Sequence, residues 1–186
     1  MDDAKHITTP LSDATVDDLR AGDAVLISGV IYGARDAAHA RMADALHRGD
    51  ALPFDPVGQV IYYVGPAPPR PGAAVGSAGP TTSGRMDRYA PAMHAAGIRG
   101  TIGKGFRSRE VRDALIEHRS VYFAALGGSG ALLARCIKAA EAIAYPELGP
   151  EAVYRLVVEN FPAIVVNDAS GRDLYEEAQV RYRIDL

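Results

Sequence analysis

The sequence holds one cysteine, Cys136, in 186 residues. A lone cysteine excludes an intrachain disulfide and any set of thiolates that could hold a metal cluster within this chain. The five histidines offer no close-spaced ligand pattern; His39 and His47 lie two helical turns apart, too far to share a metal unaided. No metal is therefore expected on this chain's own side chains. No apolar run approaches the ~18 residues of a membrane span. The opening MDDAKHITTP is acidic and lacks the basic-then-apolar order of a signal peptide, so a cytoplasmic chain is expected. Basic residues are not in excess: 20 Lys and Arg stand against 23 Asp and Glu, interspersed, for a net charge of -3. That excludes a broad nucleic-acid-binding face and leaves room for a local cationic pocket. With no repeat, low-complexity tract or linker, the expectation is one domain over 1–186, with 1–18 a peripheral N-terminal segment.

What is present reads as globular, with 48% hydrophobic and 23% charged residues. AVLISGVIY (24–32) predicts a buried strand, and 35–48 a helix with Asp36 in its first turn. GQVIYYVG predicts a second strand, followed by a proline-rich surface loop over 65–72. A helix is expected from Arg85 or Asp87 to Gly97, with Pro91 a candidate break. IRGTIGKG and VYFAAL predict strands; between them SREVRDALIEH predicts a helix capped by Ser108, with Val111 and Leu115 on one face. ALLARCIKAAEAI begins as a helix with no clear end. YRLVVENFPAIVVND predicts two strands about 160–162, and DLYEEAQVRYR a polar closing helix. Strands alternate with helices early and cluster late, the pattern of an α/β domain with a mixed central sheet and flanking helices.

The stretch SAGPTTSGRMD (77–87) is dense in hydroxyls and ends in a cation. Gly79 and Gly84 have the spacing of a phosphate loop, but Arg85 replaces its lysine and Met86 its magnesium-binding hydroxyl, so nucleotide binding is set aside. Backbone N–H groups and hydroxyls at a helix start still suit an anion, and an arginine fork suits a carboxylate. From this loop alone, a capped helix start with a solvated arginine is an equal reading. Two further segments tilt the balance. Arg35 follows a strand and Gly33, and Lys104 sits between Gly103 and Gly105 at another strand end. Three cations at three strand ends suit a small dicarboxylate. Thr81, Thr82 and Ser83 stand ready there to donate hydrogen bonds or move a proton.

The segments SGVIYGARDAAHARM, GPTTSGRMD, IGKG and YPELGPEAVYRLVVENFPAIVVND resemble, in order over 19–174, the β subunit or C-terminal domain of class I fumarate hydratases. The L-tartrate dehydratase β subunit shares the pattern. The resemblance implies a swivelling β/β/α domain that completes an active site with a larger α subunit, in a hetero-oligomer. It implies a 4Fe–4S cluster held by that partner on three cysteines, not by this chain. It implies that Arg35, Arg85 and Lys104 hold the substrate carboxylates, with Thr82 a further contact. Thr81 becomes the proton acceptor at carbon, activated by a carboxylate from the partner. Gly33, Phe106 and GGSGA depart from the family pattern; Gly33 and Phe106 flank two of the carboxylate-binding cations and leave the choice of acid open. The expected activity is reversible hydration of fumarate to L-malate, with tartrate or mesaconate as alternatives and a non-catalytic carboxylate-binding domain as the rival of another class. Segments 28–35, 79–85 and 103–105 should converge on one face around an open hollow, with the loop 65–72 away from it.

Overall fold

The computed structural model describes residues 3–183. Its organising pair is β2 (Ala24–Gly33) and β7 (Val153–Asn167), which run antiparallel along almost their whole length, from Ala24 opposite Ile164 to Gly33 opposite Tyr154. The other side of β2 is shared by two strands in succession. β1 (Lys5–Thr8) pairs with 25–28, and β3 (Val60–Tyr62) pairs with Tyr32 and Gly33. β7 is shared in the same way: β6 (Ile137–Ala144) lies along its first half and β5 (Val121–Ala124) along its last residues. β4 (Gly100–Gly103) joins β3 to β5. Among the described residues the seven strands thus form one mixed sheet, parallel from β1 to β5, in which β2, β3, β4, β5 and β7 close into a barrel-like ring. Mixed pairing around a central sheet with flanking helices is the α/β class that the alternating pattern predicted; the closure was not legible in it.

The period-2 alternation of strands sorts the core into clusters. Val60, Tyr62 and Val64 join Val25, Ile27 and Phe161 in the main cluster. Ile61 and Tyr63 point the other way, against Ala38, Met42 and Met93 of the covering helices. Covering on both faces is why VIY is apolar at every position, and each such buried aliphatic side chain contributes ~1.5–3 kcal/mol. The helices are α1 (Asp13–Asp18), α2 (Asp36–Arg48), α3 (Ala90–Ala95), α4 (Arg109–Glu117), α5 (Gly130–Cys136) and α6 (Leu174–Tyr182). Ser108 caps α4 as its sequence predicts, accepting from the Val111 N–H, and Val111 and Leu115 are buried. None of the helices among the described residues is long and apolar enough to cross a membrane.

Several expectations need correction or completion. The helix expected from Arg85 to Gly97 is split into a 3-10 turn over Ser83–Met86 and α3. Pro91 stands in the first turn of α3, just after that interruption, where its missing N–H has no helical partner to lose. The segment 153–167 is one strand, not two: Asn160 bends it in a left-handed conformation (φ 49°) while pairing with β2 resumes on both sides. The unresolved end after 131 is a direct passage from α5 into the edge strand β6. Finally, 1–18 is not peripheral throughout, since it supplies β1 and buries Ile7, Leu11 and Val16 in the core.

Candidate functional site

The polar loop is held by the ends of parallel strands. The Thr81 N–H donates to the Tyr63 carbonyl just beyond β3 (2.7 Å), and the Lys104 N–H donates to the Thr81 carbonyl (3.3 Å). The Ser83 N–H returns a bond to the Lys104 carbonyl (2.8 Å), so 81–83 runs beside the end of β4 as a short strand would. This close approach explains Gly103. A Cβ there would stand 2.0 Å from Ser83 Oγ and 2.9 Å from the Tyr63 ring.

The 3-10 turn then carries Arg85 toward α2. Arg85 donates from Nε to Asp36 Oδ1 (2.9 Å) and from Nη2 to Asp36 Oδ2 (2.8 Å), a two-pronged bond. Asp36 opens α2 next to Arg35, whose Nε also reaches Asp36 Oδ2 (3.4 Å). Arg35 Nη2 pairs with Glu151 Oε1 (2.9 Å), and Glu151 Oε2 accepts the Ala37 N–H at the start of α2 (3.0 Å). Burial alone would raise the Asp36 pKa; hydrogen bonds from its own backbone N–H and from Arg85 outweigh that and hold it below the ordinary aspartate value.

Arg35 and Arg85 therefore meet at one carboxylate, while Thr81, Thr82 and Lys104 meet through the backbone. The loop 81–85 joins the two groups. Their states differ. Arg35 is held by two carboxylates, whereas Arg85 Nη1, Lys104 Nζ and the hydroxyls of Thr81 and Thr82 have no hydrogen-bond partner among the described residues. These unused donors, on a neutral-to-cationic rim, are what an anionic ligand with more than one carboxylate needs.

Two details of the sequence reading change. Ser83 is fully buried and bound to the Tyr122 hydroxyl (2.9 Å), which removes it from the candidate proton carriers. The loop 65–72 is not wholly away from the site: Gly65 packs on the Arg35 guanidinium, where a Cβ would stand 2.9 Å from Nη1. Beyond it, residues from Ala67 turn toward a separate cavity of about 800 Å³ beside α5 and β6.

The residues that sequence reasoning missed are mostly supports. Asp36 was assigned to the helix dipole, although its place after Arg35 already set it beside a cation. Arg107 is buried between the Tyr63 and Tyr122 rings, with its Nε on Asp87 (2.8 Å) and Nη1 near Tyr63 Oη (3.2 Å). Asp87 also accepts the Ser108 N–H (2.7 Å), which ties the end of the polar loop to α4. His39 lies beneath Arg35, its Nδ1 3.1 Å from the Arg35 carbonyl, and burial pushes its pKa down to about 4. Among the described residues no three His, Cys, Asp or Glu groups cluster as metal ligands. Cys136 lies on α5 with Sγ toward the Leu132 and Asn160 carbonyls, and burial raises its pKa; these residues do not fit an iron–sulfur cluster.

The model of the fumarase C-terminus family matches residues 3–178. The chain belongs to that family. Among members of known description, it is 42% identical over 158 residues to "Fumarate hydratase 2" of Leishmania major and 41% identical over 156 residues to "Fumarate hydratase class I, aerobic" of Escherichia coli. Those alignments cover 84% and 83% of this chain and 28% of each relative, so the chain spans little more than a quarter of their length. It is 39% identical over 173 residues to the "Putative L(+)-tartrate dehydratase subunit beta" of Methanocaldococcus jannaschii, covering 90% of this chain and 89% of that subunit. The polar loop and its cationic neighbours thus sit within a fumarase C-terminal domain.

Proposed function

We propose that this fumarase C-terminal domain is the β subunit of a two-chain hydro-lyase that reversibly hydrates fumarate to L-malate. The observation that carries the reading is the set of unused donors at Arg85, Lys104, Thr81 and Thr82, gathered by the ends of β3 and β4 next to Arg35. Arg85 and Lys104 hold the substrate carboxylates through charge-assisted hydrogen bonds, and Thr82 adds a neutral donor. Arg35 joins them in holding the substrate carboxylates, its charge balanced by Glu151 and Asp36. Thr81 Oγ1 takes the proton from the substrate carbon in dehydration and returns it in hydration. A threonine hydroxyl is a weak base, so a carboxylate from the partner subunit activates it. A 4Fe–4S cluster would be held by the partner α subunit and not by this chain, and would supply Lewis-acid chemistry toward the hydroxyl that leaves or adds. In this reading the ring of strands is the swivelling domain that closes the site against that partner, in the cytoplasm.

A second substrate is favoured by one observation. Phe106 follows Lys104 and Gly105 and is 59% exposed, its ring packed on Tyr175. An exposed apolar side chain two residues after Lys104 suits a methyl-bearing acid such as mesaconate, and tartrate is kept in the comparison. The test is anaerobic co-expression with the adjacent reading frame, followed by steady-state rates on fumarate, L-tartrate and mesaconate. The fumarate reading expects the highest kcat/KM on fumarate and no turnover by this chain alone. A folded complex with a full cluster and no activity on any of the three leaves the rival reading, a carboxylate-binding domain without catalysis.

A further inference from the structure

A guanidinium presents two hydrogen-bonding edges: a side edge formed by Nε and Nη2, and an end formed by Nη1 and Nη2. In Arg85 the whole side edge is taken by Asp36, at 2.9 and 2.8 Å. The end has no partner on Nη1 among the described residues, and the side chain is 48% exposed. Asp36 is itself fixed. It sits in the first turn of α2, is approached by Arg35 Nε, and is anchored in place by Glu151 on the neighbouring Ala37 N–H. An arginine on a short 3-10 turn without that carboxylate has several rotamers to lose when a ligand binds, and preorganisation removes that cost.

We propose that Asp36 is a positioning residue: it holds the Arg85 guanidinium by its side edge so that the Nη1–Nη2 end faces the substrate carboxylate. This rests on the hydro-lyase reading, in which Arg85 binds that carboxylate. The same geometry admits the opposite role, in which Asp36 occupies a fork that substrate must first vacate. The two differ in sign. A positioning carboxylate strengthens substrate binding, and a competing one weakens it.

Two measurements test this, one of them independent of activity. In the isolated chain, exchange of the Arg85 Nε–H with solvent, followed by nitrogen-15 NMR, should accelerate by at least ~10-fold in Asp36→Asn. Unchanged exchange overturns the proposal whatever the enzyme does. In the assembled complex, Asp36→Asn should raise KM by about 10-fold with a smaller change in kcat, as expected for lost binding. In an Arg85→Lys background the same substitution should change KM by less than ~2-fold, because partners in one interaction are not additive. A KM that falls or stays level, or an effect that persists in full beside Arg85→Lys, overturns it. A wild-type complex inactive on every acid tested sinks the hydro-lyase reading and with it the substrate-facing half of the proposal; the exchange measurement then still decides whether Asp36 orders Arg85.

Discussion

Ser83 Oγ lies 2.9 Å from the Tyr122 hydroxyl, and that hydroxyl donates to the Gly105 carbonyl at 2.8 Å. A phenol has one proton, so Ser83 must donate to Tyr122. The relay ties the polar loop to the turn after Lys104 through the first strand beyond it, β5. Tyr122→Phe leaves the buried Ser83 hydroxyl and the half-buried Gly105 carbonyl without this partner. We expect a loss of ~1–3 kcal/mol in urea unfolding, together with a raised KM as Lys104 loses its fixed position. A normal melting curve and normal KM would show that the relay fixes nothing.

Gly103→Ala tests the same junction from the backbone. The added methyl has nowhere to go without moving Ser83 or the Tyr63 ring, both fully buried. Overpacking of this kind costs ~1–3 kcal/mol, which the denaturant midpoint reads directly. Gly84→Ala, which meets no atom within 4 Å, is the control and should be close to silent.

Arg85→Lys keeps the charge and loses the planar fork, so its bond to Asp36 and to any carboxylate beyond it cannot stay two-pronged. On the hydro-lyase reading, kcat/KM of the assembled complex should fall about 10- to 150-fold. Thr81→Val leaves the cations in place and removes only the hydroxyl. If Thr81 moves the proton, kcat drops by at least ~100-fold with little change in KM. Near-wild-type kcat, with cluster content verified, removes Thr81 from the chemistry and leaves it as a hinge of the loop.

Two buried histidines set the acid limit of the fold. His39 and His94 each bring Nδ1 within 3.1 Å of a backbone carbonyl and leave Nε2 without a hydrogen-bond partner among the described residues. Burial depresses their pKa values from 6.5 to about 4 and about 3. Because the folded values lie below the unfolded one, their contribution is intact above 6.5. It is lost as the pH falls toward 4, while the unfolded chain takes up protons that the folded chain refuses. Each contributes a slope of up to ~1.4 kcal/mol per pH unit in that window. Carboxylates with depressed values, such as Asp36 and Asp168, add their own loss only at lower pH. The urea midpoint should therefore fall between pH 6.5 and 5, and His94→Gln should flatten that fall by about one proton's worth. A wild-type midpoint that is level over this range refutes the assignment.

The local chemistry of the site was legible where one residue type has one physical use. Ser108 before an apolar-periodic run could only cap α4, and the glycines about Lys104 marked a tight strand end. What was not legible depends on partners distant in sequence. The Glu151 carboxylate reaches Arg35 across 116 positions, and Tyr122 looks like any strand tyrosine until Ser83 is beside it. Strand β6 escaped for a different reason: AAEAIA has helix formers at nearly every place, and only pairing with β7 makes it extended. The ring closure shares that cause, since no local pattern records that β2 and β7 will meet.

That meeting also dictates a timetable. The backbone of Asn160 is bonded to the side chain of Ser28 across 132 residues, and every ring strand but β7 precedes it in the chain. Contacts that span such a separation form slowly, because the intervening segment must lose its freedom before they reward it. Until β7 arrives, the inner faces of β2 and β5 have no lid on their open side, and the apolar side chains Ile27, Ile31 and Phe123 are available to any neighbour. Refolding from denaturant should accordingly be limited by a late, concentration-sensitive step that dilute conditions favour, and loosening the bend at Asn160 should slow that step more than it weakens the finished protein.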